Sequence, residues 1–257
     1  MDSMNFFESL FRWGHIVAGV LWIGLLWFFN FVNSNFAPTM DADTKKKVIP
    51  ELMPRALWAF RWGAAWTWIT GLILLGLVYY NTGLVFKDPT VKTWSTGGIA
   101  VLVALLMFAV YDPLAKAIAR TEVHFVLGLV VATAAVYFFS RFAGFGFRGT
   151  AIHLGAMFGT IMAANVWMRI WPAQKKIITA TKNGEKPDPA VAALAGLRSK
   201  HNTYMSVPLI FMMMSQHATW AASYEWTLPL VVLLGWGFTY WMYQIGNDPP
   251  KDSKDSS

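Results

Sequence analysis

The stretch WGHIVAGVLWIGLLWFFNF, residues 13–31, decides the fold. Its only ionisable side chain is that of His15, and a bilayer is crossed by about 20 predominantly apolar residues in helical form. Because lipid offers the backbone no hydrogen bonds, an apolar stretch of this length predicts a transmembrane α-helix. The whole chain has the same character, since 56% of its 257 residues are hydrophobic and 14% are charged. We therefore expect an integral membrane protein.

About seven segments of this kind predict an all-α, polytopic transmembrane bundle. They are Trp13 to Phe31, Trp62 to Tyr80, Gly97 to Ala115, Val123 to Ser140, Ala151 to Met168, Tyr204 to Ala222 and Trp226 to Gln244. Asp188 followed by Pro189 indicates the start of a further short helix, over residues 189–198. Nothing between the spans has the composition of a second domain, so residues 1–248 are expected to form a single bundle. The polar residues 249–257 are expected to be a disordered tail.

The Lys and Arg residues orient the predicted bundle. With seven spans, 16 of them fall on one face and 5 on the other. Cytoplasmic loops retain positive charge, which places the N-terminus in the periplasm and the C-terminus in the cytoplasm. The net charge of +7 does not indicate a nucleic-acid partner, because the basic residues lie between apolar segments and form no aromatic-interleaved stripe. Membrane lipid is the partner that this charge pattern favours.

Five histidines lie in or at the ends of the predicted spans, in a chain without cysteine. Following each span from its entry side places His15, His153 and His217 near the outer face, and His124 and His201 near the cytoplasmic face. Ionisable groups at membrane depth are costly and usually functional, and imidazoles on facing helices are typical haem ligands. Without cysteine the haem would be non-covalent haem b, with one or two bound per chain.

Depth alone favours His15 and His153 as the ligands of the haem iron. His217 is either a third ligand or a group that binds substrate or relays protons, and His124 belongs to the cofactor-binding set on the cytoplasmic side. Taken singly, a histidine near a helix end is more often an interfacial polar residue than a ligand. His201 borders a loop and is the candidate least expected to bind iron.

Two glycines and an arginine complete the candidate set. Gly19 and Gly128 each follow a histidine by four residues, which places them on that histidine's face of the helix. A small residue there leaves room for a flat macrocycle. Arg61, if turned inward, is suited to bind a planar anion through two hydrogen bonds. If turned outward, it would reach the lipid headgroups instead.

Two stretches carry a family resemblance: GHIVAGVLWIGLLWFFNF at residues 14–31 and RSKHNTYMSVPLIFMMMSQH at residues 198–217. Both resemble the membrane domain of the bacterial membrane-bound urate oxidases, also called urate hydroxylases. The second is the more specific, because generic apolar composition does not produce the string His-Asn-x-Tyr-x-x-x-Pro-x-x-Phe-x-Met-x-Ser-x-His. The resemblance extends over nearly the whole chain.

This resemblance implies an enzyme of the bacterial inner membrane that oxidises urate to 5-hydroxyisourate and passes the electrons to cytochrome c. It matches family histidines to His15, His201 and His217. Urate is a planar anion at neutral pH, so its site needs cationic or N–H donors and an aromatic wall. The residues expected to provide this site toward the cytoplasm are His201, Asn202, Arg61, Asn30 and Tyr204.

The chain departs from the family pattern because it contains no Cys-x-x-Cys-His haem-attachment motif. We therefore expect the acceptor to be a separate cytochrome c or another component of the respiratory chain. Two other functions are compatible with the sequence. One is a non-catalytic b-type cytochrome subunit that relays electrons from a partner enzyme. The other is a transporter without haem, which short broken helices and midplane charges would favour.

Overall fold

The computed structural model describes residues 3–88, 94–118, 120–223 and 226–247. Over these residues the chain is an all-α bundle, as predicted, and its only β pairing is an isolated bridge between Phe86 and Phe145. The α-helices described are α1 (Ser3–Trp27), α2 (Ser34–Phe36), α3 (Ala42–Leu74), α4 (Trp94–Ala117), α5 (Thr121–Tyr137), α6 (Phe147–Asn165), α7 (Trp171–Lys182), α8 (Pro189–Met214) and α9 (Thr227–Asn247). The predicted tail, residues 249–257, lies outside the described residues.

Several α-helices continue through π-helical turns into longer helical stretches. The π-helical turns are Phe28–Asn33, Leu75–Tyr80, Phe138–Phe142 and Val166–Ile170. Continuous stretches consequently reach 36 residues at Met4–Thr39, 39 at Ala42–Tyr80 and 36 at Phe147–Lys182. A helix of 36 residues is about 54 Å long, whereas the hydrocarbon core is about 30 Å thick. These stretches are longer than the predicted spans because hydropathy detects only their apolar part.

Within the described residues, six helical stretches are long and apolar enough to cross a membrane, as is expected of a multi-pass membrane protein. They are Met4–Thr39, Ala42–Tyr80, Ser95–Ala117, Thr121–Phe142, Phe147–Lys182 and Thr227–Asn247. They coincide with six of the seven predicted spans.

The sequence around α8 was interpreted incorrectly. The structure has neither a short helix at residues 189–198 nor a span from Tyr204 to Ala222, but one helix, Pro189–Met214, followed by 3₁₀ turns. Asp188 caps its start as predicted, accepting a hydrogen bond from the backbone N–H of Ala190 at 2.8 Å. Arg198 and Lys200 lie in its middle, which explains why α8 lacks the hydropathy of the other spans.

Helices α6 and α8 form the centre of the bundle. α8 packs along both α6 and α9, α4 packs along α6, and α1 packs along α3. In the stretch that contains α6, 67% of the most apolar window is buried inside the protein, against 22–28% in the other five spans. α6 is therefore surrounded by protein, while the other five spans keep one side available to lipid.

Candidate functional site

Two cavities lie on opposite sides of α6, toward different ends of α8. We call them the His15 cavity, with a volume of about 380 Å³, and the His201 cavity, with a volume of about 240 Å³. Gly155 and Gly159 of α6 line the His15 cavity, whereas Met157 and Ile161 line the His201 cavity. One helix, about 10 Å in diameter, therefore separates the two.

The His15 cavity brings together His15, from the middle of α1, and His217, from the 3₁₀ turn after α8. Gly71, Gly155 and Gly159 contribute wall without side chains. A methyl group added at Gly71 would lie 3.0 Å from the His15 ring, so the absence of a side chain at this position makes room for the imidazole. The cavity therefore combines two imidazoles with a flat, largely apolar surface.

The hydrogen bonds of His15 determine which ring nitrogen carries its proton. Nδ1 of His15 lies 3.1 Å from the hydroxyl of Thr70. That hydroxyl donates its own proton to the carbonyl oxygen of Trp66 at 2.6 Å, so it accepts from His15. Nδ1 of His15 is then the protonated nitrogen and Nε2 keeps its lone pair. This is the form of neutral imidazole that binds a metal ion through Nε2.

His217 reaches the same cavity from the exposed turn after α8. Its Nε2 lies 3.2 Å from the side-chain amide nitrogen of Gln216, the preceding residue. Because this contact is exposed, a ligand of the cavity can replace Gln216 at Nε2 of His217.

The His201 cavity holds the second pair of histidines. The ring centroids of His124 and His201 are 4.8 Å apart, with 63° between the ring planes. Phe125, Tyr204 and Trp236 form an aromatic wall, with Phe125 packed edge-on against the other two. Both ring nitrogens of His124 are buried and have no hydrogen-bond partner among the described residues. Such a cavity suits a small planar ligand with polar edges.

The comparison with protein families connects these cavities to a known group. A family model described as urate oxidase N-terminal matches residues 2–248. The chain belongs to the urate oxidase N-terminal family. Searches of curated proteins and of solved structures found no match. The resemblance carried by residues 14–31 and 198–217 is therefore confirmed at the level of the family.

The family string at residues 201–217 contributes to both cavities. His201 and Tyr204, at its start, line the His201 cavity, and His217, at its end, lines the His15 cavity. α8 carries the string from one cavity to the other because its residues 201–214 rise about 20 Å along the helix axis. One continuous segment of sequence thus supplies residues to both cavities.

His153 lies apart from His15, with which the sequence paired it. It is fully buried, donates from Nδ1 to the carbonyl oxygen of Gly149 at 2.7 Å and contacts the Tyr80 hydroxyl through Nε2 at 2.8 Å. Its ring packs against Phe145 and lies outside the walls of both cavities. Both ring nitrogens of His153 are thus already bonded within the protein. The sequence could not show this, because depth along a span does not determine which side of a helix a residue faces.

The two predicted glycines take different positions. Gly128 lines the His201 cavity, where an added methyl group would lie 3.2 Å from the Trp236 ring. Gly19 is not part of the lining of the His15 cavity, and an added methyl group would contact the side chain of Thr67 at 3.8 Å. Gly19 thus faces Thr67 of α3 with room for a methyl group, and Thr67 itself lines the cavity.

The five residues predicted to bind urate are not all brought together. His201 and Tyr204 line the His201 cavity. Asn202 lies next to this cavity but is fully buried, and it donates to the carbonyl oxygen of Met162 at 2.9 Å. Asn30 lies elsewhere, donating to Ser199 and accepting from Tyr243. A fixed set of protein partners thus occupies both asparagines.

Arg61 is also outside both cavities. Its guanidinium lies 4.1 Å from the ring centroid of Trp171 and 5.6 Å from that of Trp167. Trp167 also donates to the backbone carbonyl of Arg61 at 3.1 Å. The cationic side chain that does line the His201 cavity is Lys200, which the sequence did not single out. In the sequence, nothing distinguishes this lysine, which precedes His201, from the other basic residues.

Proposed function

We propose that this protein is a haem b-containing oxidoreductase of the membrane that oxidises urate to 5-hydroxyisourate. The electrons pass to cytochrome c or another respiratory-chain acceptor. One observation carries the proposal: His15 and His217 line one cavity, and the hydrogen bond from Nδ1 of His15 to Thr70 leaves Nε2 of His15 with its lone pair. Membership of the urate oxidase N-terminal family supports urate as the substrate.

The residues of the His15 cavity fit a haem b. His15 and His217 would be the iron ligands, and Gly159 would leave space for the macrocycle, since the nearest atom to an added methyl group there is 4.0 Å away. Arg12, which lines the cavity and pairs with Glu8 at 2.8 Å, would offer a guanidinium to the propionate groups. When bound, a haem there would supply one-electron transfer at a potential set by its ligands and surroundings.

The His201 cavity is the site that we propose for urate. Its smaller volume suits a purine, and the rings of Phe125 and Trp236 offer a stacking surface. Lys200 lines the cavity, and its ammonium, 5.5 Å from the ring centroid of Tyr243, would turn toward the bound anion to supply a positive charge. His124, with both nitrogens unpartnered, is placed to accept a proton from the bound molecule.

The positive-inside rule orients the two cavities relative to the membrane. It places the His201 cavity toward the cytoplasm and the His15 cavity toward the periplasm. Urate would then be oxidised near the cytoplasmic face, and the external acceptor would approach from the periplasmic face. α6 lies between the two sites and keeps them within one helix diameter.

An anaerobic spectral titration of the purified protein in detergent tests the proposal. We expect one haem per chain, and reduction of that haem when urate is added. His15→Ala and His217→Ala should each lose most of the haem. His124→Ala is the matched control in the other cavity, and it should retain the haem but no longer reduce it with urate.

Three outcomes would contradict the proposal in different ways. A wild-type protein without a haem absorption band would exclude the cofactor and favour a transporter. Haem that urate leaves oxidised would favour the b-type cytochrome subunit. Full haem occupancy in both His15→Ala and His217→Ala would show that the ligands were assigned to the wrong cavity.

A further inference from the structure

A line of hydrogen bonds runs from a backbone carbonyl of α6 to His201. It begins at the carbonyl oxygen of Met162, which accepts from Nδ2 of Asn202 at 2.9 Å. A carbonyl oxygen can only accept, so this contact determines which end of the Asn202 amide faces it. Oδ1 of Asn202 faces the other way and accepts from Nδ2 of Asn165 at 2.8 Å.

The same amide nitrogen of Asn165 donates to the hydroxyl oxygen of Tyr111 at 3.0 Å. Since Tyr111 accepts this bond, its own proton is available for another partner. Nδ1 of His201 lies 2.8 Å from that hydroxyl. Tyr111 therefore donates to His201, and neutral His201 holds its proton on Nε2.

Burial keeps the direction of this line constant. Asn165 and Asn202 are both fully buried, so water does not exchange for their partners. Reversing either amide would place two oxygen atoms, or two N–H groups, against each other. A buried polar group left without its partner is strongly disfavoured. Through four successive hydrogen bonds, the carbonyl oxygen of Met162 thus determines which ring nitrogen of His201 carries the proton.

We propose that Asn202, Asn165 and Tyr111 are positioning residues that hold His201 as its Nε2–H tautomer. His201 then acts as a hydrogen-bond donor to the ligand of the His201 cavity, and His124 is left as the acceptor of the proton. The identity of the ligand as urate rests on the proposed function. The tautomer of His201 follows from the hydrogen bonds alone.

The division of roles matches the chemistry of urate oxidation. Formation of 5-hydroxyisourate joins the oxygen of one water molecule to carbon 5 of urate and releases two protons and two electrons. The electrons go to the one-electron acceptors of the proposed function, one proton goes to His124 and the other to solvent. A fixed N–H donor at His201 would stabilise negative charge on a carbonyl oxygen of the purine as the proton leaves.

The tautomer can be read without turnover, from ¹⁵N-histidine NMR spectra of the ligand-free protein in detergent. His201→Gln assigns the resonances of His201 by their disappearance. In the wild type we expect a protonated Nε2 and an unprotonated, hydrogen-bonded Nδ1. In Tyr111→Phe we expect loss of this single form. A protonated Nδ1 in the wild type would overturn the proposal, whatever the substrate proves to be.

A double-mutant cycle tests whether Tyr111 acts through His201. Tyr111→Phe keeps the ring and removes the hydroxyl, and it should lower kcat about 10-fold to 100-fold, as is typical for a partner that orients a functional histidine. H201Q carries an N–H donor that has no tautomers. Adding Tyr111→Phe to H201Q should therefore lower kcat less than about threefold, since residues 111 and 201 no longer interact.

The same variants separate failure of this inference from failure of the proposed function. Equal losses from Tyr111→Phe in the wild type and in H201Q would show that Tyr111 does not act through His201. Unchanged haem content in these variants would establish that the protein is intact. A wild type that does not oxidise urate at all would contradict the proposed function and leave the NMR result standing.

Discussion

Arg198 and Asp112 form an ion pair inside the bundle, with Nη2 of Arg198 2.9 Å from Oδ1 of Asp112. Arg198 is fully buried. Asp112 also accepts from Arg169 and from Lys116, each at 2.8 Å or less. One carboxylate thus joins α4 to α8 and to the π-helical turn before α7.

We expect Asp112→Asn to destabilise the bundle. The substitution leaves the buried guanidinium of Arg198 without a counter-charge, and removing one partner of a buried ion pair costs about 3–5 kcal/mol. Thermal unfolding in a fixed detergent, followed by circular dichroism, measures the loss. Glu51→Gln is the control, because the pair between Glu51 and Arg55 is largely exposed and such pairs contribute about 0–1 kcal/mol. Equal melting of both variants and the wild type would contradict the prediction.

The helices could be predicted from the sequence because long apolar stretches have one stable form in lipid. The pairing of histidines could not. Depth along a span follows from counting residues, but which side of the helix faces the centre depends on packing that involves all the spans. His15 and His153 were expected at the same depth, but only His15 lines the His15 cavity. His217 was predicted near the outer face, and the structure shows that it shares the cavity of His15.

The same limit applies to the urate site. Family resemblance selected His201, Asn202 and Tyr204 because they match polar positions of the family string. It could not distinguish a side chain that lines the cavity from one that holds its neighbour in place. Tyr111 was missed because a tyrosine near a helix end ordinarily belongs to the membrane interface. Its hydrogen bonds to His201 and Asn165 reveal its position.

Thr70→Val should weaken haem binding although Thr70 would not touch the iron. The valine keeps the shape of threonine and removes the acceptor for Nδ1–H of His15. Partners of this kind typically contribute about 10-fold to 100-fold in affinity. Titration of the haem-free protein with haem measures the change. Thr239→Val is the matched control, since Thr239 is a buried threonine of α9 that bonds only to the carbonyl oxygen of Gly235. Unaltered affinity in Thr70→Val would show that the hydroxyl does not orient His15.

Lys200→Met and Arg61→Met should differ in their effect on urate binding. Lys200 lines the His201 cavity, so its loss should raise KM for urate about 10-fold, in line with a charged hydrogen bond of about 1.5–3 kcal/mol. Arg61 packs on Trp171 outside the cavities, so its loss should leave KM unchanged. It should instead lower the unfolding free energy by about 0.5–2 kcal/mol through the lost cation–π contact. Steady-state kinetics with urate and thermal unfolding of both variants make the comparison. The reverse pattern would restore Arg61 as the cation of the urate site.

Gly159→Leu should exclude haem while preserving the fold. The nearest atom to an added methyl group at Gly159 is 4.0 Å away, on Leu209, so the backbone need not move. The rest of the leucine side chain would enter the His15 cavity and occupy space that a macrocycle requires. The ratio of haem absorbance to protein absorbance should therefore fall severalfold, with unfolding temperature little changed. Gly237→Leu is the control, because Gly237 of α9 is exposed and has no atom within 4 Å of an added methyl group. A Gly159→Leu protein with full haem content would place the cofactor outside the His15 cavity, whatever the behaviour of the histidine variants.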